Sequence, residues 1–134
     1  MPLRKRALND ILAVVKDNEL KIKKYLLQLG FQPNLKGYSL LGRLIEFALE
    51  GNEILPLKYC GYKLLAEEFN VDPASIEKDI QNAISSAWLR GNVDTLYREF
   101  GETLDENKGK PTNKQFVLTA LERLYCQNLA CESV

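Results

Sequence analysis

Histidine is absent from this 134-residue chain, cysteine occurs only three times, and the 18 acidic side chains balance 18 basic ones. Each shortage removes a class of function. With no imidazole, no phosphate-cradling loop of the G-x-x-x-x-G-K type and no metal constellation, the chain does not read as an enzyme and calls for no cofactor. Glu67 and Glu68 are adjacent on a helix and point apart, so they make no acid–base pair. Cys60, Cys126 and Cys131 are odd in number and lack metal-ligand spacing, so the expectation is reduced thiols in a cytoplasm and no zinc site. Leu3, Ala7, Leu8, Ile11 and Leu12 are interrupted by Asn9 and Asp10, which argues against a signal peptide or a membrane span. Zero net charge leaves no global field to draw the molecule onto nucleic acid or membrane. Any DNA affinity has to come from local clustering.

What the chain does have is helical periodicity, over a length that suits one domain with one core. From Leu3 to Leu29 apolar residues recur at helical intervals and Gly30 is the stop; this is one long helix or two pieces broken near Asp17 and Asn18. Through Lys24 the region holds Arg4, Lys5, Arg6, Lys16, Lys21, Lys23 and Lys24 against Asp10, Asp17 and Glu19, so seven minus three leaves plus four. That charge reads either as a phosphate-contacting arm or as a solvated helix face. Pro33, Asn34 and Gly37 mark a loop, and a second helix is expected over about Ser39 to Glu50 with Leu40, Leu41, Leu44, Ile45, Ala48 and Leu49 inward. Glu102 to Lys110 reads as a polar loop. Thr112 and Gln115 then have the spacing of a capping box ahead of a last helix running to about Leu129. Nothing alternates at period two, so the expected fold is all-α, about six helices without a substantial sheet.

The central stretch, Tyr62 to Trp88, reads as a helix-turn-helix. A first helix from about Leu57 to Phe69 offers Leu65 and Phe69 as its stripe, and small Ala66 lets the backbones approach. Asn70 suits a left-handed turn residue, Val71 is a further apolar position, Asp72 is the expected cap and Pro73 the first helical residue. At about 100° per residue, Ile76, Ile80, Ala83, Ile84, Ala87 and Trp88 fall on one face of the second helix, which runs to about Leu89 and is stopped by Gly91-Asn92. The other face offers Ser75, Glu77, Lys78, Gln81 and Asn82 as base-reading candidates: Asn and Gln can pair bidentately with adenine, Lys with guanine acceptors, Glu with the cytosine amino group. Lys78 and Arg90 are matched by Glu77 and Asp79, so this helix is neutral, and phosphate attraction must come from its neighbours. Lys36, Arg90, Lys108, Lys110, Thr112 and Lys114 are the candidates for phosphate contact.

In several places the residues resemble one family. Gly30, Lys36-Gly37-Tyr38, Ala83-Ile84 with Ala87-Trp88, Arg90-Gly91-Asn92, Phe100-Gly101 with Thr103, and Lys110-Pro111-Thr112-Asn113 with Phe116 are similar to the DNA-binding effector domain of the sporulation stage-zero master response regulator of endospore-forming bacteria. The resemblance spans roughly Leu26 to Leu124. It implies a six-helix domain of the response-regulator effector type around a helix-turn-helix, binding short DNA boxes, commonly as tandem copies, after phosphorylation of a receiver domain. Here 25 residues precede Leu26, too few for a receiver, so phosphorylation in cis is not expected. The implied organisation is a basic helical extension over 1–25 and the regulator-like domain over 26–134.

The departures from the family fall on the reading helix. The resemblance implies arginines where this chain has Ser75, Lys78 and Gln81, a histidine at Asn82 and a small neutral residue at Asp79; Glu77 is retained. A bidentate arginine contact to guanine is worth about 1–3 kcal/mol of discrimination, and lysine keeps the charge without the fork. The expectation is therefore a sequence-specific, cytoplasmic DNA-binding transcriptional regulator with altered specificity. The alternative is a relative that no longer binds DNA and acts through protein contacts, as a homodimer or paired with a related regulator.

Overall fold

The computed structural model describes residues 17–101 and 109–132. The expected helix before residue 17, Lys108 and most of the expected polar loop lie outside them. Among the described residues the fold is all-α and contains no strand. The helices are α1 (residues 17–29), α2 (Lys36–Leu49), α3 (Gly61–Phe69), α4 (Pro73–Arg90), α5 (Val93–Phe100) and α6 (Asn113–Glu132).

One apolar core joins them. Ile22, Leu26 and Leu29 of α1, Leu41, Leu44 and Ile45 of α2, Leu65 of α3, and Ile76, Ile80 and Ile84 of α4 are all buried in it. α5 and α6 close one end with aromatic rings: Phe100 stacks on Phe116 at 4.8 Å between centroids, and Trp88 meets Phe100 edge-on at 5.4 Å. Trp88 is only partly buried; it anchors the end of α4 at the margin of the core. Polar ties are peripheral by comparison. Arg43 of α2 reaches Glu68 of α3 at 2.8 Å and Glu46 at 3.1 Å, but partly solvated pairs contribute only about 0–1 kcal/mol each. Burial of the apolar stripes, at roughly 25 cal/mol per Å², carries the fold.

Three local expectations need correction. α2 begins at Lys36, so Gly37 is a helical residue. A Cβ at Gly37 would run into the Asp79 carbonyl and the Ala83 Cβ of α4; the glycine permits a close crossing of α2 and α4, which a loop reading of Pro33 to Gly37 could not reveal. α3 starts at Gly61, and residues 57–60 form a turn in which the Tyr62 N–H donates to the Leu57 carbonyl at 2.8 Å. Phe69 and Val71 are 40% and 45% exposed, so the inward stripe of α3 is Tyr62 and Leu65, and Phe69 lines a small surface cavity with Tyr38 and Gly42.

The turn itself forms as its chemistry predicts. Asn70 adopts the left-handed conformation, φ 55° and ψ 49°, and Pro73 occupies the first turn of α4. Asp72 takes the cap position without a side-chain hydrogen bond, so proline and the left-handed asparagine set the start of α4. Gly91 ends that helix against the end of α1: Gly30, at φ +98°, leaves no room for a Cβ beside the Gly91 Cα.

Candidate nucleic-acid interface

α4 has the two faces its periodicity foretells. Ile76, Ile80, Ala83, Ile84 and Ala87 are at most 1% exposed. Ser75, Glu77, Lys78, Gln81 and Asn82 are all exposed, and none of their side chains is spent on a hydrogen bond or ion pair with another described residue. A polar row of this kind, held by a buried opposite face, can present donors and acceptors to base edges without first breaking internal bonds.

Two grooves run beside this row. One, of about 790 Å³, is lined by Glu77 and Gln81 of α4, by Lys110, Thr112 and Lys114 at the start of α6, and by Lys58 and Tyr62 from the α3 side. The other, of about 540 Å³, brings Asn82 together with Lys36 of α2 and Arg90 at the end of α4. Lys78 lies between these flanks by helical angle, and neither Lys78 nor Ser75 lines a groove. Every phosphate candidate among the described residues thus borders α4, some on each side. In a major-groove complex the two DNA backbones also lie on either side of the inserted helix.

The cations that border α4 are free of ion pairs, as are Lys24, Lys63 and Arg98 elsewhere among the described residues, whereas four others are neutralised. Lys36, Lys58, Lys78, Arg90 and Lys114 form no ion pair with a described residue. Lys21, Lys23, Arg43 and Arg123 do, with Asp17, Glu19, the Glu46–Glu50–Glu68 group and Glu99 respectively, and none of these four lines either groove. In the basic N-terminal stretch Lys21 and Lys23 are matched by acids one helical turn back, while Lys24 is exposed and forms no ion pair with a described residue. Arg123 Nε stands 3.1 Å from Glu99 Oε2, close enough for an ion pair but misaligned for a hydrogen bond.

The start of α6 is fixed by its own capping box and by hydrogen bonds to α3 and α4. The capping box is closed both ways: the Thr112 N–H donates to Gln115 Oε1 at 2.9 Å and the Gln115 N–H to Thr112 Oγ1 at 3.2 Å. Asn113 Nδ2 donates to the Tyr62 hydroxyl and to the Glu77 carbonyl, both at 3.1 Å. Lys110 Nζ donates to Ser85 Oγ at 2.5 Å. Burial pushes the Tyr62 phenol's pKa above its usual value, the Asn113 hydrogen bond pulls it back, and the negative charge of Glu77 adds to the rise. Asn113 thus ties the start of α6 to α3 at Tyr62 and to α4 at Glu77. The sequence signal for Asn113 is the Lys110–Asn113 step, in which residue chemistry alone points to Lys110 and Thr112. Lys58 carries no such signal, because it sits in a segment that reads as helix.

Comparison with protein-family models matches residues 22–124 to the family described as sporulation initiation factor Spo0A C terminal.

Proposed function

The chain belongs to the sporulation initiation factor Spo0A C-terminal family, a family of DNA-binding effector domains, and from that premise we propose that it is a sequence-specific transcriptional regulator whose α4 reads a DNA box of its own. The observation that carries this reading is the exposed row Ser75, Glu77, Lys78, Gln81 and Asn82 between two grooves bordered by unpaired cations. Lys36 and Arg90 contact phosphates on one side, and Lys110, Thr112 and Lys114 on the other. The neutral α4 leaves approach to these flanks, and its serine, lysine and glutamine in place of the expected arginines move base preference away from guanine-rich contacts. A protein of this kind works on the chromosome, in the bacterial cytoplasm. No described helix is long and apolar enough to cross a membrane.

Titration of random and genomic duplex DNA at two salt concentrations tests this. The expected outcome is a specific complex with a clear salt slope, weakened by Lys78→Ala. Failure to bind even concentrated DNA at low salt would sink the proposal.

A second reading, contact with another copy or with a related regulator, draws on a different observation. Leu89 at the end of α4 is 83% exposed and Tyr97 of α5 is 58% exposed, and both border a surface cavity beside Trp88. Under this reading Tyr97→Glu, at a position outside both grooves beside α4, would abolish association seen by sedimentation. A protein that sediments as a monomer alone and in the presence of the related regulator would count against it.

A further inference from the structure

Lys58 enters the larger groove from the turn before α3, a different element from the one that supplies Lys110, Thr112 and Lys114. We propose that this groove seats the sugar–phosphate backbone of one DNA strand and that Lys58 is a phosphate-contacting residue within it. The inference rests on the DNA-reading function above and adds to it a residue and a strand path.

The chemistry of the lining points to a polyanion. Lys58, Lys110 and Lys114 carry three positive charges against the single carboxylate of Glu77, so the groove has a net charge of plus two in a molecule whose formal net charge is zero. These charges are available. Lys58 is exposed and its ammonium lies 5.7 Å from the centre of the Tyr59 ring, a distant contact that leaves all three N–H donors for a ligand. Lys110 spends one donor on Ser85, which holds it in place with two left over. Thr112 Oγ1 accepts from the Gln115 N–H, so its own O–H remains free to donate. Phosphate oxygens accept, and every group named here except the Glu77 carboxylate can donate.

Geometry supplies the direction. The groove shares its wall with Glu77 and Gln81, so a backbone seated in it brings its bases toward the reading row of α4. On the opposite flank Lys36 and Arg90 border the second groove. Two cation-bordered channels either side of one exposed helix match the two backbones that flank a major groove.

The test measures the slope of log K against log salt for the full chain with a short random-sequence duplex. Removing one phosphate-binding cation lowers the magnitude of that slope by about 0.9. Lys58→Ala is expected to lower it by about that amount and Lys58→Arg to restore it. Lys63→Ala, which removes an exposed charge from α3 outside the groove, leaves it unchanged. A full slope in Lys58→Ala together with a reduced one in Lys114→Ala would overturn the Lys58 assignment and leave the DNA reader standing. An equal fall in Lys63→Ala would also overturn it, by showing a charge effect without a site. Absence of salt-dependent binding by the unsubstituted protein would overturn both.

Discussion

Gly37 stands where α2 and α4 cross, and its missing side chain makes the crossing possible. A Cβ there would overlap backbone and Cβ atoms of α4, neither of which can swing aside. Gly37→Ala should therefore destabilise the fold by about 1–3 kcal/mol, the range for overpacking a filled core. Gly101→Ala, where a new Cβ meets nothing within 4 Å, should stay within about 0.5 kcal/mol of the parent. Thermal unfolding of the two variants checks the contrast; equal melting temperatures would show that the crossing is looser than the contacts require. Asn70 illustrates the other kind of residue-scale constraint. Its left-handed backbone is legible in the sequence because few side chains tolerate that region, whereas nothing local distinguishes a glycine needed for a close approach from one that breaks a helix.

At the scale of elements, α4 is placed by what grips it. Its inner face packs on the core, and its exposed side is fixed by Asn113 and Lys110 from the start of α6. Asn113→Ala removes two hydrogen bonds and leaves the Tyr62 hydroxyl without a donor. A cost of about 1–3 kcal/mol is expected, with DNA affinity falling more than in Gln115→Ala, which unpairs only the capping box. Denaturant unfolding and DNA titration on the same variants would separate the two; equal affinity losses would mean that Asn113 acts only as a helix-start residue. Period and punctuation make α4 and the capping box of α6 readable in advance. The start of α3 is not, because Leu57 and Leu65 keep helical spacing across a turn, and spacing alone carries no record of which carbonyl a backbone N–H chooses. Phe69 misleads for a similar reason: an apolar residue in register belongs to the core only if the helix is long enough to carry it there.

For the whole molecule, charge is organised by position more than by amount. The total is zero, so composition alone argues against nucleic acid, yet the cations bordering α4 are unpaired while several far from it are neutralised by neighbouring acids. The sequence supplies the candidates on both flanks. It cannot show that Glu77 and Gln81 share a groove with Lys114 while Asn82 shares one with Lys36 and Arg90, since that sorting depends on how α2 and α6 dock against α4. The central claim is that α4 reads bases while its flanks hold phosphates, and it is tested most directly by selecting bound sequences from a random duplex pool at low salt. The account predicts one enriched box for the unsubstituted protein, a preference relaxed at particular positions by Gln81→Ala, and an unchanged box with weaker binding in Lys114→Ala. An enriched box that survives simultaneous alanine substitution of Lys78, Gln81 and Asn82, or a pool that never enriches, would contradict it.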